Sequence, residues 1–151
     1  MTIYRITLTK YAMKLVASGY PARWNSKDVK MIYTAQSRAL ACLENIVHRN
    51  SKGLQMNFRV MQISVPDDIM LTEIKETDLI PGWKEFNKMP YTQSLGDKWV
   101  LEAKSSILKV PSAIISGDAN YLLNPEHRDY ERIQLLNTEP FEFDERIKQN
   151  V

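Results

Sequence analysis

The hydrophobic pattern changes period several times within 151 residues, and that switching restricts the chain to a small set of folds. MTIYRITL alternates Ile3, Arg5 and Thr7 with Tyr4, Ile6 and Leu8, which suits an opening strand with one apolar face. VKMIYTA (29–35) is short and β-rich and reads as a second strand. LQMNFRVMQISVP (54–66) returns to strand spacing, with Phe58 and Val60 on one side and Met61, Ile63 and Val65 on the other. ILKVPSAIIS (107–116) is a further β-type run, and Pro111 within it predicts an edge strand or a bulge. FEFDERI (141–147) sets Phe141 and Phe143 against Glu142 and Asp144, so a last strand is expected there.

Helical spacing interrupts these runs. SRALACLENIVHRN places Leu40, Leu43 and Val47 on one face, with Ser37 as N-cap and Gly53 beyond the end. SLGDKWVLEAKSS (94–106) predicts a second helix starting near Gly96. Residues 9–22 allow a helical turn or two before Gly19 and Pro21 break it. Residues 66–94 carry Pro66, Pro81, Gly82 and Pro90 and read as loops and short elements, with IPGW a turn. NYLLNPEHRDYERI, with Pro125, reads as turn-rich. Strands outnumber helices, their order is mixed, and no repeat or low-complexity linker divides the chain. The expectation is a single compact α+β domain over residues 1–151, with short mixed β-sheets and flanking helices. The strands are too short and too alternating for a parallel doubly wound sheet. Neither GxGxxG nor GxxxxGK[ST] occurs.

Composition excludes several functions. Apolar residues are 44% of the chain, enough for a core, and 25% charge marks a soluble globular protein. A net charge of +2, with Lys and Arg scattered among acids, argues against direct nucleic-acid binding. The single cysteine, Cys42, cannot form an internal disulfide and sits among Ala41, Leu43 and Ile46 as a small hydrophobe. The two histidines, His48 and His127, lack CxxC or HxxxH companions, so no metal site is expected. The first twenty residues hold no continuous apolar run of signal-peptide type, and no uncharged stretch is long enough to cross a bilayer. A cytoplasmic location without membrane contact is expected.

Three stretches occur in order: RWN…IYTAQSRALACLE, LGDKWVLEAKSSILKVPSAI and NYLLNPEHRDYERI. Together, from about Tyr4 to about Ile133, they resemble the RES domain family, the toxin half of bacterial Xre–RES toxin–antitoxin pairs. The family is named for an Arg, a Glu and a Ser, matched here by Arg23, Glu44 and Ser112. Tyr33 falls at the family's active-site Tyr, and Arg5 matches a further Arg near its N-terminus. The resemblance implies an ADP-ribosyltransferase-like fold, NAD+ as substrate rather than cofactor, and toxicity through NAD+ breakdown or ADP-ribosyl transfer. It also implies an Xre-type helix-turn-helix antitoxin as partner, and a toxin homodimer is compatible with it. Pro21-Ala22 and Asp28 stand where the family commonly has glycine, so the loop entering Arg23 is expected to be shaped differently.

These residue types suit that chemistry. Cleavage of the nicotinamide–ribose bond develops positive charge on the sugar, which a carboxylate, Glu44, lowers in energy while holding a 2′-OH. A guanidinium grips pyrophosphate through forked donors, a task for Arg23 first and Arg5 second. Tyr33 offers a flat face to nicotinamide and a hydroxyl for orientation, and Ser112 one hydrogen bond to the ribose or to Glu44. Each has a plainer reading. Glu44 with His48 can be a surface i,i+4 pair, Arg23 can stack on an aromatic ring, Tyr33 can be packing, and Ser112 can bond locally. Trp24, Trp83 and Trp99 read as core, and Asn120, Tyr121 and Asn124 as turn-forming residues near the site. The alternatives to NAD+ breakdown are mono-ADP-ribosylation of a cellular protein and a non-catalytic partner-binding module.

Overall fold

The computed structural model describes residues 1–148. Seven strands form one mixed sheet, ordered β4-β5-β6-β2-β1-β3-β7. The strands are β1 (Thr2–Leu8), β2 (Ile32–Ala35), β3 (Phe58–Ser64), β4 (Leu71–Glu73), β5 (Ile107–Pro111), β6 (Ala119–Leu123) and β7 (Gln134–Phe141). All neighbours run antiparallel except β4 and β5. Two helices, α1 (Arg38–His48) and α2 (Met89–Glu102), accompany them. This is the α+β architecture anticipated.

Alternation along the strands explains how both sheet faces become core. On β3, Phe58 and Val60 join Ile6, Ala35, Leu40 and Ala41 beneath α1. Met61 and Ile63, on the opposite side of the same strand, join Ile3, Ile32, Ile107 and Leu123. A third cluster gathers the buried Trp24, Trp83 and Trp99 with Leu108 and Leu122. The tryptophans are thus core, as their composition suggested.

The sheet is nearly divided in the middle. β1 follows β3 through seven paired positions but meets β2 at only one, Tyr4 opposite Ala35. Beyond that rung the ladder stops, and Arg5 and Ile6 of β1 and Tyr33 and Thr34 of β2 line a cavity together.

Several boundaries differ from the sequence expectation, each for a local reason. α2 begins at Met89 rather than near Gly96 because Pro90 occupies its first turn, where the missing N–H is no loss. β5 stops at Pro111 and lies between β4 and β6, so it is neither an edge strand nor bulged there. Ala119–Leu123 is a strand where turns were expected, and the turns follow it. The last strand ends at Phe141 instead of starting there. Residues 142–148 turn back, and Phe143 packs edge-on against Phe58 and Phe141 at centroid distances of 4.9 and 5.0 Å. Residues 9–22 yield only a one-turn 3-10 helix, Thr9–Tyr11.

The contact that sets the position of α2 is a backbone approach. A Cβ placed on Gly96 would lie 1.7 Å from the Trp24 carbonyl oxygen, so no other residue fits. Gly96→Ala is therefore expected to force α2 off the 22–26 segment. It should lower unfolding free energy by about 2–4 kcal/mol, against less than about 0.5 kcal/mol for Ala at the exposed Ser94, two residues earlier. Urea denaturation of both variants checks this.

Candidate active site

The segment carrying Arg23 is a tight turn whose backbone is held from several directions. The Ala22 N–H donates to the Asn25 carbonyl (3.0 Å), closing the turn. From α2, Thr92 Oγ1 donates to the Arg23 carbonyl (2.5 Å) and Gln93 Nε2 to the Ala22 carbonyl (2.9 Å). Asp97 accepts from both the backbone N–H (3.0 Å) and the hydroxyl of Ser26. Asn25 is 1% exposed and spends its amide on the turn: Nδ2 donates to the Tyr20 and Val29 carbonyls (2.9 and 3.0 Å). Its Oδ1 accepts from the Tyr33 hydroxyl at 2.6 Å.

Tyr33 reaches this turn from β2. Its hydroxyl also accepts from the Trp24 N–H (3.0 Å), so it bridges two successive residues after Arg23. Burial pushes the Tyr33 phenol well above its ordinary value, and it stays neutral across the physiological range.

The Arg23 side chain is half-buried. Nη1 donates to the Trp83 carbonyl (3.3 Å), and the guanidinium lies over the Trp83 ring at 5.9 Å. Partial burial pulls its pKa down from the ordinary value, while the fields of Glu44 and Tyr33 push it back up. It remains a cation. Glu44 comes from the second turn of α1, a helix capped by Ser37, whose hydroxyl accepts from the Leu40 N–H (3.1 Å). The Glu44 side chain is 29% exposed, with Oε2 3.6 Å from Nε2 of the more exposed His48.

One cavity of about 840 Å³ takes in Arg23, Tyr33 and Glu44, in the size range of small-molecule sites. Its walls come from β1, β2, α1, the 21–24 turn and the 113–114 loop, and Phe86, Met89 and Asn120 complete it. Arg5, Arg23 and Arg49 are among its lining residues, with Glu44 the one carboxylate among its described residues, while the Arg49 guanidinium lies over the Phe58 ring at 5.0 Å. A second cavity of about 690 Å³, lined by Phe58, Arg59, Phe141 and Lys148, holds none of the candidate residues.

Arg5 and Ser112 sit less directly. Arg5 borders the cavity, but its position on β1 opposite Met61 gives its side chain the side of Ile3 and Ile63. Its guanidinium donates to the Val16 carbonyl (3.3 Å) and stands near Tyr130, with burial lowering its pKa and Tyr130 raising it. Ser112, 1% exposed, is not a lining residue. Its hydroxyl accepts from the Ile114 and Ile115 N–H groups (3.1 and 3.0 Å) and so shapes the loop that brings Ala113 and Ile114 to the wall.

Residues without an assigned role in the sequence reading matter most to this geometry: Asn25, Thr92, Gln93, Gly96 and Asp97. Asn25 and Asp97 lie within RWN and LGDKW, the stretches that carry the family resemblance, and that placement is the one signal by which they could have been found. Asn120 lines the cavity and donates to the Thr34 carbonyl (3.2 Å), while Asn124 Oδ1 accepts from the Glu126 N–H (3.0 Å) as a turn residue does. Among the described residues, no group of His, Cys, Asp and Glu is arranged to hold a metal ion, and no helix is long and apolar enough to cross a membrane.

A mixed sheet with a single rung between β1 and β2, and beside that rung a cavity lined by both Arg23 and Glu44, is the class of architecture the chain presents. Comparison with known proteins narrows that class. The RES domain model matches residues 2–144, and the chain belongs to the RES domain family. It is 36% identical to the "Prs ADP-ribosylating toxin" of Sphingobium sp. (strain YBL2), covering 83% of this chain and 79% of that protein. A "Toxin Res" of Yersinia enterocolitica is 35% identical over 98% of this chain and the whole of that one. Among solved structures, a chain of the M. tuberculosis MbcT–MbcA toxin–antitoxin complex superposes with a TM-score of 0.77. That match covers 93% of this chain and 84% of the other at 18% identity, a likeness of fold.

The turn also accounts for one sequence departure. Asp28, where family members commonly carry glycine, has φ +68°, and its N–H donates to the Gly19 carbonyl (2.9 Å). The left-handed conformation favours glycine, and aspartate tolerates it better than most residues. Asp28→Gly is expected to be neutral to stabilising, by about 0.5 kcal/mol, measured as an upward shift in the denaturation midpoint.

Proposed function

We propose that this chain is the toxin of a toxin–antitoxin pair and that it consumes NAD+ by cleaving the nicotinamide–ribose bond. The observation that carries this reading is the convergence of Arg23 and Glu44, from separate elements, on one cavity, close enough for the Glu44 charge to act on the Arg23 guanidinium. The family membership and the toxin names of the relatives support it.

The chemistry follows from charge. The guanidinium of Arg23, steadied over Trp83, is suited to the pyrophosphate through its forked donors. As the C1′–N bond breaks, its electron pair leaves on the nicotinamide nitrogen, neutralising the pyridinium, and positive charge develops on the ribose. Glu44 lowers the energy of that cation and accepts a hydrogen bond from a ribose hydroxyl. Water then adds at C1′, its surplus proton passes to solvent, and ADP-ribose remains. The ring of Tyr33 supplies a flat wall for nicotinamide.

A protein nucleophile in place of water would give ADP-ribosyl transfer, a reading favoured by the name of the Sphingobium relative. The partner proposed is an antitoxin, a reading supported by the likeness to a chain of a toxin–antitoxin complex, and its Xre type is what the family resemblance implies. At the cavity rim, Phe86 (85% exposed) and Val47 (56% exposed) form apolar surface that such a partner would cover.

Purified chain free of antitoxin is expected to release nicotinamide from NAD+. Glu44→Ala should reduce that rate by about 10²–10³-fold while changing stability by less than about 0.5 kcal/mol, since Ala is the best helix former and the Glu44 carboxylate has no hydrogen bond of its own within α1 to lose. No nicotinamide release from the unsubstituted chain would contradict the reading. Labelled NAD+ added to a lysate separates the two outcomes: free ADP-ribose marks hydrolysis, and a discrete labelled protein band marks transfer.

A further inference from the structure

The hydrogen bonds that hold the Arg23 turn are made to α2 and β2. The turn from Ala22 to Asn25 is clasped on one side by Thr92, Gln93 and Gly96 of α2 and on the other by the Tyr33 hydroxyl. A phenolic hydroxyl has one proton to give, and this one goes to Asn25 Oδ1 at 2.6 Å. One of its lone pairs accepts from the Trp24 N–H at 3.0 Å. The proton is thus committed to the protein. A role in which Tyr33 donates to the substrate would break the bond to Asn25, whose other polar atoms are already used on the Tyr20 and Val29 carbonyls.

Arg23 contrasts with this. Its backbone carbonyl is bound by Thr92, and its neighbours on both sides are fixed. Among the described residues, its guanidinium meets a single acceptor, the Trp83 carbonyl at 3.3 Å. The arrangement is a rigid base carrying a cation with donors to spare.

We infer that Tyr33 and Asn25 are positioning residues: their hydrogen bond locks the Ala22–Asn25 turn, and through it aims the Arg23 guanidinium at the anionic part of the ligand. The inference rests on the NAD+ reading above, and it assigns Asn25 a part in substrate binding although its side chain is buried against carbonyl groups. The Tyr33 ring keeps its place as a wall, while its hydroxyl acts through Arg23. Loss of the hydroxyl should consequently weaken the grip on pyrophosphate and leave the bond-breaking step nearly unchanged.

The test compares Tyr33→Phe, Arg23→Ala and the double variant, with melting curves measured alongside. Nicotinamide release from NAD+ gives kcat and KM, and calorimetry gives the affinity for ADP-ribose, which retains the pyrophosphate. Tyr33→Phe is expected to raise KM for NAD+ and Kd for ADP-ribose by about tenfold, with kcat within about threefold. In the Arg23→Ala background the same change should add no more than about twofold, since no guanidinium is left to misplace. Should Tyr33→Phe melt below the assay temperature, Thr92→Val carries the test, because it releases the Arg23 carbonyl from the opposite side and must give the same pattern. A fall in kcat of about a hundredfold at unchanged KM, or full additivity in the double variant, would overturn the inference and place the hydroxyl on the reacting sugar. Unchanged ADP-ribose binding in Tyr33→Phe would overturn it as well. An unsubstituted chain that neither binds ADP-ribose nor releases nicotinamide would instead remove the NAD+ reading beneath it.

Discussion

A missing side chain at residue 96 determines where α2 lies, and much else depends on that. Because the helix backbone rests directly on the Trp24 carbonyl, the residues flanking Gly96 come within hydrogen-bonding range of the 22–26 turn. Thr92 and Gln93, near the helix start, take two carbonyls, and Asp97, just after the glycine, takes the N–H and hydroxyl of Ser26. Close packing alone would leave the turn free to slide along the helix. Hydrogen bonds spaced along one helix face fix its register, and the cation of Arg23 inherits that rigidity.

The other wall of the cavity is set by the sheet. β2 carries Tyr33 and Ala35 on the same side, and its end leads through Ser37 into α1, which covers Ala35 with Leu40 and Ala41. Glu44 follows from this placement, since one more turn of the same helix brings it over the place where β1 and β2 part. The single rung between those strands leaves room for the cavity without an insertion or a long loop. A continuous ladder there would fill the gap with backbone and remove the cavity. Its cost is a line of weaker pairing through the middle of the sheet, offset by the seven-position ladders of β3 with β1 and with β7.

How much of this could be read from the residues depended on whether the signal was local. β1, β2, β3 and α1 carry strong periodicity and a clear N-cap, and they form close to where the pattern puts them. α2 was misplaced at its start because Pro90 looks like a breaker in sequence, whereas a helix's first turn accepts it. β6 was hidden by Pro125 beyond its end, and β7 by the stronger alternation around Phe143, which turned out to report aromatic packing. Arg23, Tyr33 and Glu44 stood out as polar groups within apolar or strand-like surroundings, and the fold gathers them. The supports from α2 were not visible as a set. Contacts such as Ser26 with Asp97 bring together residues 71 positions apart, and no local period records them.

That separation has a temporal meaning. The turn that presents Arg23 is made early in synthesis, but the helix that holds it ends at Glu102 and the strand that secures Tyr33 ends at Leu123. Non-local pairing of this kind forms only after its later half exists. The Arg23 turn therefore gains its full set of supports only after residues as far as Leu123 have left the ribosome, and until then the segment that comes first in the chain waits, unbraced, for partners made about a hundred residues later.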